Sequence, residues 1–289
     1  MSTDLAQRIQ QDADTYRAAA QLNRAEDCLQ GSTIVLPNYG QLVVTGDIHG
    51  HRRNFERIVK YCDLEHAPAR HIVLHEIIHE EPQGIDAHDM SHEVLLEAAR
   101  WKTEYPDQVH FIQSNHELAQ LIEQDITKGG RVVTYSFLAG MRQTYGESYI
   151  IVADALLDFI ASYPLAVRTS NRVMITHSLP SPDMMRTFDP TVLKRAPRGK
   201  DIGDGGSAYQ LVWGRHQTEK QLNDLAQIFD VDNFICGHQP QETGYDVVGK
   251  RLIIIASDHN HGVMLPFDLK KKYQTEDLVN AIRPLASIA

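Results

Sequence analysis

An α/β protein is what the sequence predicts, on three observations. Short apolar runs of strand length alternate with amphipathic segments of helix length along most of the 289 residues. Several of the apolar runs stop abruptly and are followed at once by Asp, Glu, Asn or His. No internal repeat or low-complexity linker breaks the alternation. Residues 31–289 are therefore expected to form one domain, preceded by a helical extension over residues 1–30.

Each element has its own reason. Residues 2–27 carry Leu5, Ile9, Tyr16, Ala20 and Leu22 at loosely helical spacing, which predicts an N-terminal helix packed on the core. STIVLPNYGQLVV reads as two short strands around an Asn-Tyr-Gly turn, the second running straight into TGDIHGH. Asn54 to Cys62 is helical, and HIVL at 71–74 is a short buried strand. SHEVLLEAARWKTEY is an amphipathic helix with Ser91 as N-cap and Glu93 in its first turn. VHFI at 109–112 is a strand, and SNHELAQLIEQ turns into a helix. ALLDFIASYP reads as helix, RVMITH as strand, EKQLNDLAQIF as helix and NFICGH as strand, while DVVGKRLIIIA forms a hairpin. The glycine-rich GKDIGDGGS at 199–207 is expected to be a mobile loop.

The charge balance narrows the partners. With 38 acidic against 28 basic residues the formal net charge is −10, and such a surface repels phosphate backbones and anionic lipid. Neither nucleic acid nor a membrane is an expected partner, and an anionic substrate would need local positive charge. Cys28, Cys62 and Cys236 are too few and too scattered for a disulfide framework, which fits a reducing compartment. MSTDLAQRIQQ has no apolar leader segment, so a cytoplasmic location is expected.

The strand ends carry the chemistry. LVVTGDIH places Asp47 and His49 beyond one strand, and IVLHE places Glu76 beyond the next. FIQSNHE yields Asn115 and His116, VMITH yields His177, and FICGH yields His238. Ligand sets at the carboxyl ends of adjacent strands are how α/β sheets build sites. Taken singly, each of these is an ordinary hydrogen-bonded loop residue. Five such events in order form a constellation of carboxylates, an amide and imidazoles, suited to Mn²⁺, Fe or Zn²⁺ rather than Ca²⁺.

In these motifs the chain resembles the calcineurin-like metallophosphoesterases, and among them the phosphoprotein phosphatases. That pattern runs GDxHG, GDxVDRG, GNHE, HGG and a final Gly-His or Ala-His. Here GDIHG stands at 46–50, SNHE at 114–117, HSLPSPD at 177–183, LVWGR at 211–215 and CGHQPQETGY near the end. The resemblance spans roughly residues 40–265. It implies an αββα sandwich of two mixed sheets. It also implies two divalent or trivalent ions, Mn and/or Fe foremost and Zn as an alternative. Asp47, His49 and Glu76 would hold one ion, and Glu76 would bridge to another held by Asn115, His177 and His238. A water activated between the metals would attack phosphorus in line, with His116 protonating the leaving oxygen. The implied substrate is a phosphate monoester, on a phosphoprotein or a small molecule. A dinucleoside polyphosphate or another nucleotide is the alternative, and a catalytically impaired metal-binding relative is the third reading.

One segment departs from that pattern. His75-Glu76-Ile77-Ile78-His79 spells HExxH, a zinc-protease signature that requires a helix. The strand-like HIVL precedes it, Pro82 follows closely, and Ile85 stands where an extended signature needs a third ligand. The match is read as coincidence. Aligned with GDxVDRG, His75 replaces the glycine, Glu76 the bridging aspartate, His79 the second aspartate and Glu80 the phosphate-gripping arginine. Asp86, five residues before Ser91, has the spacing of the missing aspartate counted backward. Either His79 or Asp86 is expected behind His116. Glu80 would repel a dianion, so Arg215 is the first phosphate candidate, with Arg52 and Arg53 behind it, and Trp213 is expected in the core.

Overall fold

The computed structural model describes residues 3–81, 87–128 and 131–288. In chain order the elements are α1 (Thr3–Arg24), β1 (Leu29–Gln30), β2 (Thr33–Val35), β3 (Gln41–Thr45), α2 (Arg52–Cys62) and β4 (Arg70–Leu74). Next come α3 (Ser91–Glu104), β5 (Val109–Phe111), α4 (Asn115–Leu121), β6 (Thr127–Lys128), β7 (Arg131–Val132), α5 (Val133–Tyr145) and α6 (Tyr149–Ala161). The chain continues through β8 (Ala166–Arg168), β9 (Val173–Thr176), α7 (Gly199–Ile202), α8 (Ser207–Trp213) and α9 (Glu219–Phe229). It ends with β10 (Asn233–Cys236), β11 (Tyr245–Val248), β12 (Leu252–Ile255), β13 (Val263–Asp268), α10 (Thr275–Ala281) and β14 (Arg283–Pro284).

Two mixed sheets face each other. One is seven-stranded in the order β1-β2-β8-β9-β10-β12-β11, and the other five-stranded in the order β14-β13-β3-β4-β5. The period-2 alternation of strand side chains divides the core among three layers. On β3 and β4, Val43, Ile72 and Leu74 pack under the helices, beside Ile9, Tyr16, Leu95 and Phe159. Their neighbours Leu42, Val44 and Val73 turn inward, where they meet Ile235, Ile253 and Ile255 of the facing sheet. Phe234, Cys236, Leu252 and Ile254 point outward again, against Leu211, Leu222 and Leu225 of α8 and α9. Helix, sheet, sheet, helix is the layering expected. Strands buried on both faces explain why their sequences read as unbroken apolar runs.

The two strands expected in STIVLPNYGQLVV are present as β2 and β3, in different sheets: β2 joins β8, and β3 joins β4 and β13. Two local expectations are corrected. Ser91 is the first residue of α3 rather than its N-cap, which is Met90. Residues 199–207 are not an open loop. They form α7 and the start of α8, with the Asp201 carboxylate held by Arg195 and by the Arg198 N–H.

What matters for function is where the strands end. β3, β4 and β5 run parallel in one sheet, and β9 and β10 run parallel in the other. The Asp47 carbonyl accepts from the Ser257 N–H at 2.9 Å, which stitches the two sheets together beside the site.

Candidate active site

The residues beyond those strand ends converge on one cleft. Asp47, His49, Glu76, Asn115, His116, Arg215 and His238 line it, with Trp213 and Asp258. His177 lies behind them, fully buried. Four of the site residues, His49, Glu76, His79 and His238, have left-handed backbone with φ between 43° and 69°. Left-handed conformations of non-glycine residues cost energy and cluster where a side chain must be aimed.

Around Asn115 the donor atoms close in. Its Oδ1 lies 2.7 Å from His177 Nε2 and 2.8 Å from His238 Nδ1. Glu76 Oε2 is 3.4 Å from the same His177 Nε2 and 3.8 Å from His49 Nε2, so both imidazoles approach one carboxylate oxygen. His49 gives its Nδ1–H to the Ile78 carbonyl at 3.0 Å, which puts Nε2 on the Glu76 side. Asp47 accepts the His238 N–H at 2.9 and 3.0 Å through its two oxygens. Burial first, and then the surrounding imidazoles, push His177 well below the usual histidine range. Burial, and then Arg215, bring His238 down to about 4. Both rings are therefore neutral near pH 7, the form that binds metals. Oxygen and nitrogen donors gathered at these separations are of the kind that hold metal ions.

Behind His116, among the described residues, the structure places His79. His116 Nδ1 and His79 Nδ1 are 2.9 Å apart, and His79 Nε2 lies 3.0 Å from Gln120 Oε1. His116 Nε2 is 4.0 Å from Glu76 Oε1. Asp86 lies outside the described residues. Residues 75–79 are not helical, and the two histidines of HExxH face different partners, His75 toward His177 and His79 toward His116. That geometry excludes the protease reading.

Other expectations change in detail. The Glu80 carboxylate accepts the Met90 N–H at 2.6 Å and does not line the cleft, so it does not confront a bound anion. Arg52 is tied to Glu93 and Glu97, and Arg53 is exposed away from the lining residues. Arg215 is at the cleft, where its Nε–H donates to His238 Nε2 at 3.0 Å. Trp213 is half-buried on the cleft wall rather than in the core, edge-on to His238 with ring centres 5.9 Å apart.

Sequence reasoning passed over Glu117. Its fully buried carboxylate accepts from the Ile77 and Ile78 N–H groups at 2.7 and 3.3 Å and is bonded by Ser114 Oγ. Burial, opposed by those bonds, raises its pKa to about 7. Glu117 thereby clamps the segment that carries Glu76 to the start of α4. The Ser114-x-x-Glu117 spacing, a capping-box pattern, was the available signal. Another cluster, Glu26, Cys28 and His110, has ligand-type residues close together. Lys102 already occupies it, with Nζ 2.5 Å from Glu26 Oε1, and burial pushes the Cys28 thiol up to about 12. A buried ion pair without a thiolate is what stands there.

Fold and cleft together define a metallophosphoesterase. A model of the calcineurin-like phosphoesterase family matches residues 40–242, and the chain belongs to that family. Membership implies phosphoester hydrolysis at a centre of two metal ions. Among solved structures, a protein serine/threonine phosphatase from Saccharomyces cerevisiae superposes with a TM-score of 0.67 at 16% identity. The match covers 89% of this chain and 82% of that one. A cold-active protein-tyrosine phosphatase from a psychrophilic Shewanella gives 0.60 at 16% identity, over 92% and 84%. At such identities the likeness is one of fold.

Proposed function

We propose that the protein is a metal-dependent phosphatase that hydrolyses phosphate monoesters, on a phosphorylated protein or a small molecule. The observation that supports it most is the convergence of His49 Nε2 and His177 Nε2 on the same Glu76 oxygen, Oε2, at 3.8 and 3.4 Å. In this reading Asp47, His49 and Glu76 would hold one ion, and Glu76, Asn115, His177 and His238 would hold the other. Mixed oxygen and nitrogen donors suit Mn, Fe or Zn. When bound, two such ions supply an activated water and neutralise charge on the phosphoryl oxygens.

The remaining residues do the positioning and the proton transfer. Arg215, alone among the arginines considered, reaches the cleft, and its guanidinium is suited to grip phosphoryl oxygens. If His238 gives Nδ1 to an ion, the ring proton sits on Nε2, which can no longer accept from Arg215. The guanidinium would then be available to phosphoryl oxygens. His116 delivers the proton to the leaving oxygen from Nε2 while His79 fixes Nδ1. The three unpaired cysteines favour a reducing, cytoplasmic setting.

Turnover of p-nitrophenyl phosphate with added Mn²⁺, together with metal analysis, tests the reading. Asp47→Asn should lose metal and activity together. His116→Ala should keep its metal, but on a substrate with a poor leaving group its rate should fall by ~10²–10⁴. A wild-type protein that neither binds metal nor turns over any phosphoester would refute it. Trp213 beside Arg215 favours a second reading, in which the aromatic face receives a nucleotide base. Phosphopeptides assayed against diadenosine tetraphosphate separate the two.

A further inference from the structure

Where β3 leaves its sheet it runs against the end of β12 in the other, and Asp47 lies at that crossing, bridged in parallel to Ala256. Two hydrogen bonds from the residue after Ala256 hold the backbone there. The Ser257 N–H donates to the Asp47 carbonyl at 2.9 Å, and the Gly46 N–H donates to Ser257 Oγ at 2.9 Å. Ser257 is fully buried, and its hydroxyl proton goes to the Val263 carbonyl at 2.7 Å, so the hydroxyl both gives and receives. The approach leaves no space for a side chain: a Cβ on Gly46 would fall 2.1 Å from the Ile255 oxygen. The Asp47 carboxylate is confined as well. It takes the His238 N–H on both oxygens, and a Cβ on Gly237 would fall 2.2 Å from its Oδ1.

Ser257 is itself held from behind. Asn54, fully buried in the first turn of α2, donates from Nδ2 to the Ser257 carbonyl at 2.7 Å and to the His259 carbonyl at 2.8 Å. Its Oδ1 accepts from Arg57 at 3.1 Å, so the amide is fully used. The chain thus leaves Asp47, enters α2 and grips, through Asn54, the residue that grips Asp47. We infer that Ser257 is a positioning residue for Asp47: with Asn54 behind it, it fixes the Gly46–Asp47 backbone and so sets where the Asp47 carboxylate meets a metal ion. The inference rests on the metal centre proposed above and deepens it. Outer partners of a metal ligand commonly bond its side chain. Here the grip falls on the main chain, and because aspartate has a short side chain, a fixed backbone confines its oxygens closely.

Amide exchange on the metal-free protein and Mn²⁺ calorimetry test it on the full chain. In the wild type the Gly46 and Ser257 amides should be among the slowest to exchange, and in Ser257→Ala the Gly46 amide should exchange faster. Ser257→Ala should weaken one Mn²⁺ binding step roughly 10–100-fold and leave the other within a few-fold of wild type. Ser257→Thr, which keeps the hydroxyl, should restore the weakened step. Asn54→Leu keeps the shape of the side chain without its donors, and should weaken the same step as Ser257→Ala. Ile34→Val, buried between the sheets on β2, is the control for stability alone. It should lower the melting temperature and leave both steps unchanged. Unchanged Mn²⁺ steps in Ser257→Ala, or a loss that Ile34→Val reproduces, would overturn the inference. So would rapid exchange of the wild-type Gly46 and Ser257 amides, even if the variants fail to fold. A wild type that takes up no Mn²⁺, Fe or Zn would refute the metal centre itself, while the exchange rates would still decide whether Ser257 grips Gly46.

Discussion

At the level of single residues, His79 shows how far an exchange can reach. The family pattern has an aspartate there, and this chain places an imidazole 2.9 Å from His116 Nδ1 instead. A carboxylate would stabilise the protonated imidazole by its charge, whereas a second imidazole offers only a lone pair. His79→Asp should therefore raise turnover of substrates with poor leaving groups by roughly tenfold or less, and move the alkaline limb of the pH–rate profile upward. Aspartate tolerates the left-handed backbone at this position, φ 65° in the structure. An unaltered profile with metal content preserved would show that His79 does not govern the acid. The sequence was enough to nominate His116 and six ligand candidates, because each follows an apolar run directly. It could not choose between His79 and Asp86, since spacing does not report which way a loop folds back. Nor could it foresee His75 against His177, a contact between residues 102 apart in the chain.

Between β4 and α3, where departures from the family pattern concentrate, the described residues are held by buried carboxyls. Asp89 is fully buried, accepting from both the N–H and the Oγ of Ser91, while Ser91 Oγ in turn accepts the His79 N–H at 2.9 Å. Burial, resisted by the Ser91 bonds and assisted by Glu80, lifts the Asp89 pKa to about 7. Because the folded pKa is raised, the protein loses stability as pH climbs from the unfolded value near 4 to about 7, and the loss persists above that. Its ceiling is about 4 kcal/mol. Asp89→Asn keeps the acceptor for Ser91 and removes the charge. Its melting temperature should exceed that of the wild type at pH 8, and the gap should shrink toward zero at pH 4. A gap independent of pH would mean that Asp89 is ionised in the native state at low cost. Turn chemistry around Ser91 was misread as a simple N-cap because the competing acceptor, Asp89, lies just outside the helix.

Across the whole molecule, the strands that end at the site were legible because they are buried on both faces and read as continuous apolar runs. Their division between two sheets was not, since β2 and β3 are neighbours in sequence yet pair with β8 and β4. That division is what brings β3, β4 and β5 from one sheet against β9 and β10 from the other, so that a single carboxylate can stand between two ligand sets. The most direct test of the account is a crystal structure of the Mn²⁺-loaded protein with anomalous scattering. The account predicts two peaks ~3.5–4 Å apart with Glu76 between them. One would sit on Asp47 and His49, the other on Asn115, His177 and His238. Peaks elsewhere, such as on Glu26, Cys28 and His110, or a single ion that leaves Glu76 uncoordinated, would contradict it.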